Sequence, residues 1–192
     1  MRTEKDDHND TGTYRNYIGP ARDRKNNHRA NIGRNSTYKK AAHIEVDDFW
    51  QFIRQGYIHP WLGGGGSGNQ NDTVIEAVAA SAKIYSTGGY EVFVAGTISP
   101  WFIEPWRKIA QKGVDVRYIV LRPSKEITVT RATRRAQRDF FPLSVENVED
   151  VWDSFADVGI YEPHVVDTTG QTAVESAEAI KSMIKDGYFR VE

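Results

Sequence analysis

From Ala41 onward, short apolar runs ending in small or polar residues alternate with stretches of helical spacing. HIEV (43–46), YEVFVAG (90–96), VDVRYIVL (114–121) and HVVDTTG (164–170) read as strands. Between them lie DDFWQFIRQGY, with Asp47 or Asp48 as N-cap and Phe49, Phe52 and Ile53 on one face, and 71–87, with Val74, Ile75, Val78, Ala82 and Tyr85 at helical spacing and Gly88-Gly89 as its stop. SPWFIEPWRKIAQKG starts at Ser99 with Pro100 in its first turn, SKEITVTRATRRAQR starts with a capping box at Ser124, and two further helices follow. Strands that alternate with helices predict an α/β chain, a three-layer parallel sheet with helices on both faces. Ligands of such sheets bind at the carboxyl ends of the strands. Those ends carry Asp47-Asp48, Gly96-Thr97, Arg122-Pro123 and Thr168-Thr169.

With 192 residues the chain has enough length for one domain with a real core. A net charge of −1 argues against a nucleic-acid binder acting through bulk charge. The absence of cysteine excludes disulfides, thiolate catalysis and zinc–thiolate sites. No apolar run approaches the ~18 residues of a membrane span, and no signal-peptide pattern appears, so a cytoplasmic location without membrane contact is the expectation. The histidines are scattered, with no metal-ligand spacing.

Residues 1–40 differ from the rest. They hold ten Lys or Arg against five Asp or Glu, many Asn and few large aliphatics. By composition this is a disordered arm, and the body runs from 41 to 192.

The blocks HIEVDDFW, GYIHPWL, GGYEVFVAGTISPWF, YIVLRPS, RATRR, FADVG and HVVDTTG together resemble the P-loop small-molecule kinases. The likeness is greatest to ATPase/kinase-like proteins related to chloramphenicol phosphotransferase, with gluconate kinase further off. It implies a P-loop NTPase fold of the nucleoside-monophosphate-kinase kind with a short helical lid. It also implies ATP and Mg²⁺ as cofactors and a small-molecule hydroxyl acceptor for the γ-phosphoryl group. In such kinases the strand before the phosphate loop lies at the sheet centre, between the third and fourth strands.

That phosphate loop needs G-x-x-x-x-G-K-S/T, whose backbone N–H groups cradle the phosphates while the Lys reaches the β/γ-phosphates and the hydroxyl holds Mg²⁺. The required place holds Gly19-Pro20-Ala21-Arg22-Asp23-Arg24-Lys25-Asn26. Gly19 and Lys25 have the right spacing and are the candidate phosphate contacts. Arg24 replaces the second glycine and Asn26 the hydroxyl, so the motif as written is absent. As a central strand, 11–19 is also poor, because Arg15 and Asn16 fall in a buried layer, where each unpaired polar group costs about 1–3 kcal/mol.

The resemblance assigns further roles. Asp47, nearest the strand end, is the first choice to take the acceptor's proton, with Asp48 beside it, and the pair is the candidate Mg²⁺ site; the plain alternative is a helix N-cap. Arg131, Arg134 and Arg135 lie in the lid, where Arg131 and Arg135 would clamp phosphate charge as catalytic groups and Arg134 would bind nucleotide; a solvated basic face is the alternative. Arg122 would flank the nucleotide or cap its strand, and Thr168 and Thr169 would lie near the adenine. Ala95 stands where related sequences tend to carry an acid, which puts part of the metal shell in doubt. Trp61, Trp101, Phe102 and Trp106 could line an acceptor pocket, though aromatics next to Pro more often pack as core, the preferred reading, and 63–68 reads as a substrate-side loop. Two functions follow: an ATP-dependent phosphotransferase impaired as written, or a non-catalytic remnant whose basic arm (15–40) binds nucleic acid or another acidic partner.

The genetic code offers a reason for the missing motif. Read one base later, the codons allowed for Asn16–Arg34 permit IISGPPGIGKTTIARTLAE. This string supplies a strand end, a full phosphate loop and an amphipathic helix start together. The hypothesis is a pair of compensating frameshifts. The gene's nucleotides decide it: a +1 frame over codons 16–34 without the glycines and the lysine makes the arm a genuine divergence.

Overall fold

The computed structural model describes residues 13–18, 39–60, 68–136 and 144–192, with 13–18 and 135–136 described by their backbone alone. Five strands form one sheet: β1 Thr13–Ile18, β2 Ala41–Glu45, β3 Glu91–Ala95, β4 Asp115–Leu121 and β5 Val165–Val166. Their order is β2-β3-β1-β4-β5, and every named pairing is parallel. Composition reads 1–40 as an arm outside the body, yet Thr13–Ile18 is the central strand. It pairs from Tyr14↔Val92 to Tyr17↔Ala95 on one side and from Thr13↔Asp115 to Ile18↔Val120 on the other. Ladders on both edges satisfy backbone donors and acceptors whatever the side chains are, which is how a poorly patterned segment holds this place.

The helices are α1 Val46–Trp50, α2 Gly68–Thr87, α3 Glu104–Ala110, α4 Lys125–Ala136, α5 Val145–Ser154 and α6 Ala173–Lys185, with 3₁₀ turns at Pro100–Phe102 and Gly159–His164. Alternate residues of β4 point to opposite faces. Val116, Tyr118 and Val120 join Val92 and Val94 of β3 in the larger core, against Val74, Ile75, Val78 and Ala82 of α2 and Trp106 and Ile109 of α3. Ile119 faces the smaller core, with Val166, Ile180 and Ile184. The predicted helical stripe of α2 is therefore buried at Val74, Ile75, Val78 and Ala82 but not at Tyr85, which is 47% exposed, and Phe52, expected on a helix face, is exposed because α1 ends at Trp50; helices cover both faces of the sheet. Among the described residues, no helix is long and apolar enough to cross a membrane.

Several local expectations change. α1 is a short helix capped by Glu45, so Asp47 and Asp48 sit in its first turn and neither is the N-cap. Ser124 gives a one-sided cap, accepting from Ile127 N at 3.3 Å; Ile127, in the position a reciprocating Glu needs, cannot answer. The reciprocal capping box lies at Thr172 and Glu175 instead. β5 is only two residues long because a 3₁₀ turn ending at His164 precedes it.

One close approach sets the start of α1. A Cβ on Gly96 would stand 2.5 Å from Val46 Cβ. Only glycine lets the chain after β3 pass beneath the β2–α1 junction. Gly96→Ala is expected to cost about 1–3 kcal/mol through overpacking. In a thermal melt that lowers Tm by about 3–10 °C, and adding Val46→Ala should recover part of the loss.

Candidate functional site

Because the strands are parallel, their carboxyl ends share one edge. β2 delivers Asp47 and Asp48 there, β3 delivers Gly96 and Thr97, β4 delivers Arg122, and β5 delivers Thr168 and Thr169. With strands ~4.8 Å apart, the edge spans roughly 19 Å from β2 to β5. The end of β1 lies in its middle, between Ala95 and Val120.

On the β2–β3 side a concavity is lined by Asp47, Trp50, Pro60, Asn71, Ile75, Thr97 and Phe102. Its walls come from α1, the first turns of α2 and the segment after β3. That last segment is held by Gly96 against Val46 and by the Tyr118 hydroxyl, which donates to Ile98 O at 2.8 Å. Asp47 is half-buried and Asp48 exposed. The charge of Asp47 reaches Tyr57, whose phenol is pushed up first by burial and then by that carboxylate. Asn71 donates from Nδ2 to Pro60 O at 3.3 Å, while its Oδ1 is buried with no hydrogen-bond partner among the described residues. An unpaired buried acceptor costs about 1–3 kcal/mol. Asp47 and Asn71 thus line one concavity at the carboxyl edge, with the Asn71 Oδ1 itself buried.

Sequence reasoning missed Asn71 and Tyr57. The signal for Asn71 was present: it continues the apolar stripe of Val74, Ile75, Val78 and Ala82 one turn earlier, and a polar residue on such a stripe needs a reason. Of the four aromatics read as core, Trp106 is fully buried, Phe102 lines the concavity, Trp101 is 61% exposed and Trp61 lies outside the described residues.

On the β4–β5 side the predicted residues are tied to one another. Arg131 Nη2 donates to Thr168 O at 3.0 Å and Gln171 O at 3.2 Å, which straps α4 to the turn after β5. Thr169 Oγ1 accepts from Ser124 N at 2.8 Å, at the start of the same helix. Thr168 is buried. Arg134 is exposed, and Arg135 lies on α4 with only its backbone described. α4 is further tied to α5 by Lys125, whose Nζ lies 2.7 Å from Asp153 Oδ2.

Arg122 is turned to a structural task. Its Nη1 donates to Phe155 O at 2.8 Å and Ala156 O at 3.0 Å, and its guanidinium forms a two-pronged pair with Glu162 at 2.8 and 2.9 Å. It clips the segment after α5 onto the end of β4. Gly19 and Lys25, the expected phosphate contacts, lie outside the described residues.

The residues present do not make a Mg²⁺–triphosphate cradle. Arg24 and Asn26 occupy the second glycine and hydroxyl positions of the motif. Among the described residues no group of three acidic or histidine side chains could hold a metal ion. Asp47 and Asp48 are consecutive on a helix, and such neighbours do not face each other, so one ion would be held by one of them and not by the pair.

No family model matches the chain, and no curated protein matches it. Solved structures do. The tunicamycin resistance protein of Deinococcus radiodurans superposes with a TM-score of 0.60 at 16% identity, over 94% of this chain and 99% of that one. A candidate kinase from Chloroflexus aurantiacus gives 0.56 at 16% identity, over 93% and 98%. These likenesses show a shared fold, a parallel α/β sheet with helices on both faces. The parallel order with β1 at the centre agrees with the strand placement that the sequence resemblance implied.

The clip at Arg122 has a pH signature. Hydrogen bonds from Arg122 and from Val158 N hold the Glu162 carboxyl down at about 2. A depressed carboxylate contributes stability that is present above its unfolded pKa, about 4.3, and is lost as pH falls towards its folded value. Asp167 and Glu175, both lowered by threonine hydrogen bonds, act in the same direction. Glu162→Gln should thus flatten, without abolishing, the fall in Tm between pH 5 and pH 3. An unchanged slope would show that the pair contributes nothing.

Proposed function

We propose that this is the scaffold of an ATP-dependent phosphotransferase that moves the γ-phosphoryl group to a hydroxyl of a small molecule, and that the chain as written is impaired. The observation that carries the reading is that a half-buried Asp47 lines, with Asn71, Thr97 and Phe102, a concavity on the carboxyl edge. A hydroxylated acceptor entering it would meet the Asp47 carboxylate. Asp47 then accepts the hydroxyl proton as general base, a role that contributes about 10²–10⁴-fold in rate.

In the same reading Thr168, Thr169 and Arg134 would border the nucleotide. Arg131 and Arg135 would bring positive charge to the transferred group from α4. Arg131 is at the same time a positioning residue, through its bonds to Thr168 and Gln171. Arg122 supports the edge through Glu162. Impairment rests on Arg24 and Asn26, which deny a triphosphate its close backbone approach and its metal hydroxyl. The second reading, a non-catalytic remnant, draws on those same substitutions and on the eight Lys or Arg of residues 15–40.

A fluorescent ATP analogue titrated with Mg²⁺ separates the two. The chain as written should bind weakly or not at all. A chain carrying IISGPPGIGKTTIARTLAE at 16–34 should bind at least ~10-fold tighter by the P-loop mechanism. In that chain Asp47→Asn should lower acceptor-stimulated ATP consumption by about 10²–10⁴-fold and leave nucleotide affinity unchanged. Tunicamycin, from the name of the Deinococcus neighbour, is the first acceptor to try. Failure of the restored chain to bind nucleotide ends the phosphotransferase reading. Tight, salt-sensitive binding of DNA or RNA by the chain as written favours the remnant.

A further inference from the structure

The slot occupied by β1 is more demanding than the segment that fills it. Its register partners on β3 include Val92, Phe93 and Val94, all at most 2% exposed. On β4 they include Val116, Arg117, Tyr118, Ile119 and Val120, all at most 3% exposed. A strand between two buried parallel strands reads as a continuous apolar run, because both its faces are covered. The segment as written is Thr-Tyr-Arg-Asn-Tyr-Ile. Arg15 takes the register position beside Phe93 and Arg117, and Asn16 the one beside Val94 and Tyr118.

We infer that the central strand itself, from Thr13, is read one base out of frame, so that the upstream frame change lies before codon 13 and the return falls between codons 34 and 41. The sequence reasoning began at Asn16; the sheet register carries the displacement back through the whole strand. Thr13 (ACN) before Tyr permits CTT, Leu. Tyr14 (TAY) before Arg permits ATC or ATA, Ile. Arg15 (CGN) before Asn permits GTA, Val. Asn16, Tyr17 and Ile18 permit Ile, Ile and Ser. The shifted strand is Leu-Ile-Val-Ile-Ile-Ser, apolar at its first five positions, which include all four, 14–17, that both neighbours flank, and it runs directly into the glycine-rich string. The downstream limit follows from β2: Ala42, Ile44 and the adjoining Val46 are apolar and pack into the larger core, as a place beside β3 requires, so the frame is correct again by Ala41.

The inference rests on the sheet topology and not on the phosphotransferase reading, so the two fail separately. The first test is the nucleotide sequence of codons 13–18. The expected series is ACT-TAT-CGT-AAT-TAT-ATC or another whose +1 reading is apolar at the first five positions. An AGA or AGG codon for Arg15 forces Glu or Gly in that frame and overturns the inference, as does a Thr13 codon other than ACT if the shifted residue is then polar. The second test is physical. Thr13→Leu, Tyr14→Ile, Arg15→Val, Asn16→Ile and Tyr17→Ile are combined in the otherwise unaltered chain, and its Tm is compared with that of the original. A rise of at least about 5 °C is expected for a domain of this size. An unchanged or lower Tm overturns the claim that the slot demands the shifted strand. If both tests succeed and the fully frame-corrected chain still binds no nucleotide, the frame inference stands and the phosphotransferase reading falls.

Discussion

Everything at the carboxyl edge depends on the backbone ladders that join β1 to both β3 and β4. Without that strand the sheet would divide into a β2–β3 pair and a β4–β5 pair, and Asp47 and Thr168 would belong to separate pieces. Main-chain hydrogen bonds do not read side chains, so Thr13–Ile18 can hold the place with a sequence that no central strand would choose. The cost falls on the side chains and on whatever must follow the strand. Burial on β3 and β4 is nearly complete, so the mismatch stays concentrated in one segment and does not spread through the core.

The two halves of the edge are built differently. The β2–β3 half leaves capacity open. Asn71 Oδ1 has no partner among the described residues, Asp47 is half-buried, and Trp50 and Phe102 wall the space between. The β4–β5 half is bonded to itself. Arg122 holds Glu162 and two carbonyls, Arg131 straps α4 to the Thr168 turn, and Thr169 caps the start of α4. Several polar residues that a motif reading assigns to substrate are thus engaged in keeping the edge rigid. Such tying is what a site needs from its supporting groups: a bidentate arginine fixes a loop in orientation as well as position.

The fold class was legible before any coordinates because helical and strand spacings alternate so cleanly after Ala41. The strand ends that form the edge, Asp47, Thr97, Arg122 and Thr168 among them, follow directly from that pattern. Capping was less legible. Ser124 was read as a capping box without an acidic residue at the third position, whereas Thr172 and Glu175, which satisfy both halves of that rule, form one. The task of Arg122 was hidden because Glu162 lies 40 residues away. Asn71 was hidden because a stripe is usually scanned for the apolar residues it contains.

By itself, the sequence determined the kind of sheet, the edge on which chemistry collects, and the fact that the expected phosphate loop is not spelled out between Gly19 and Asn26. These are local properties, set by spacing along the chain. The tertiary structure decided that Thr13–Ile18 lies at the centre, that Arg122 closes on Glu162, and that Asp47 and Asn71 share one concavity. Each of these joins residues far apart in sequence, through ladders and packing that no local pattern encodes. The conflict over β1 became visible only when the two levels were set side by side: the ladder accepts any backbone, and the buried neighbours do not accept any side chain.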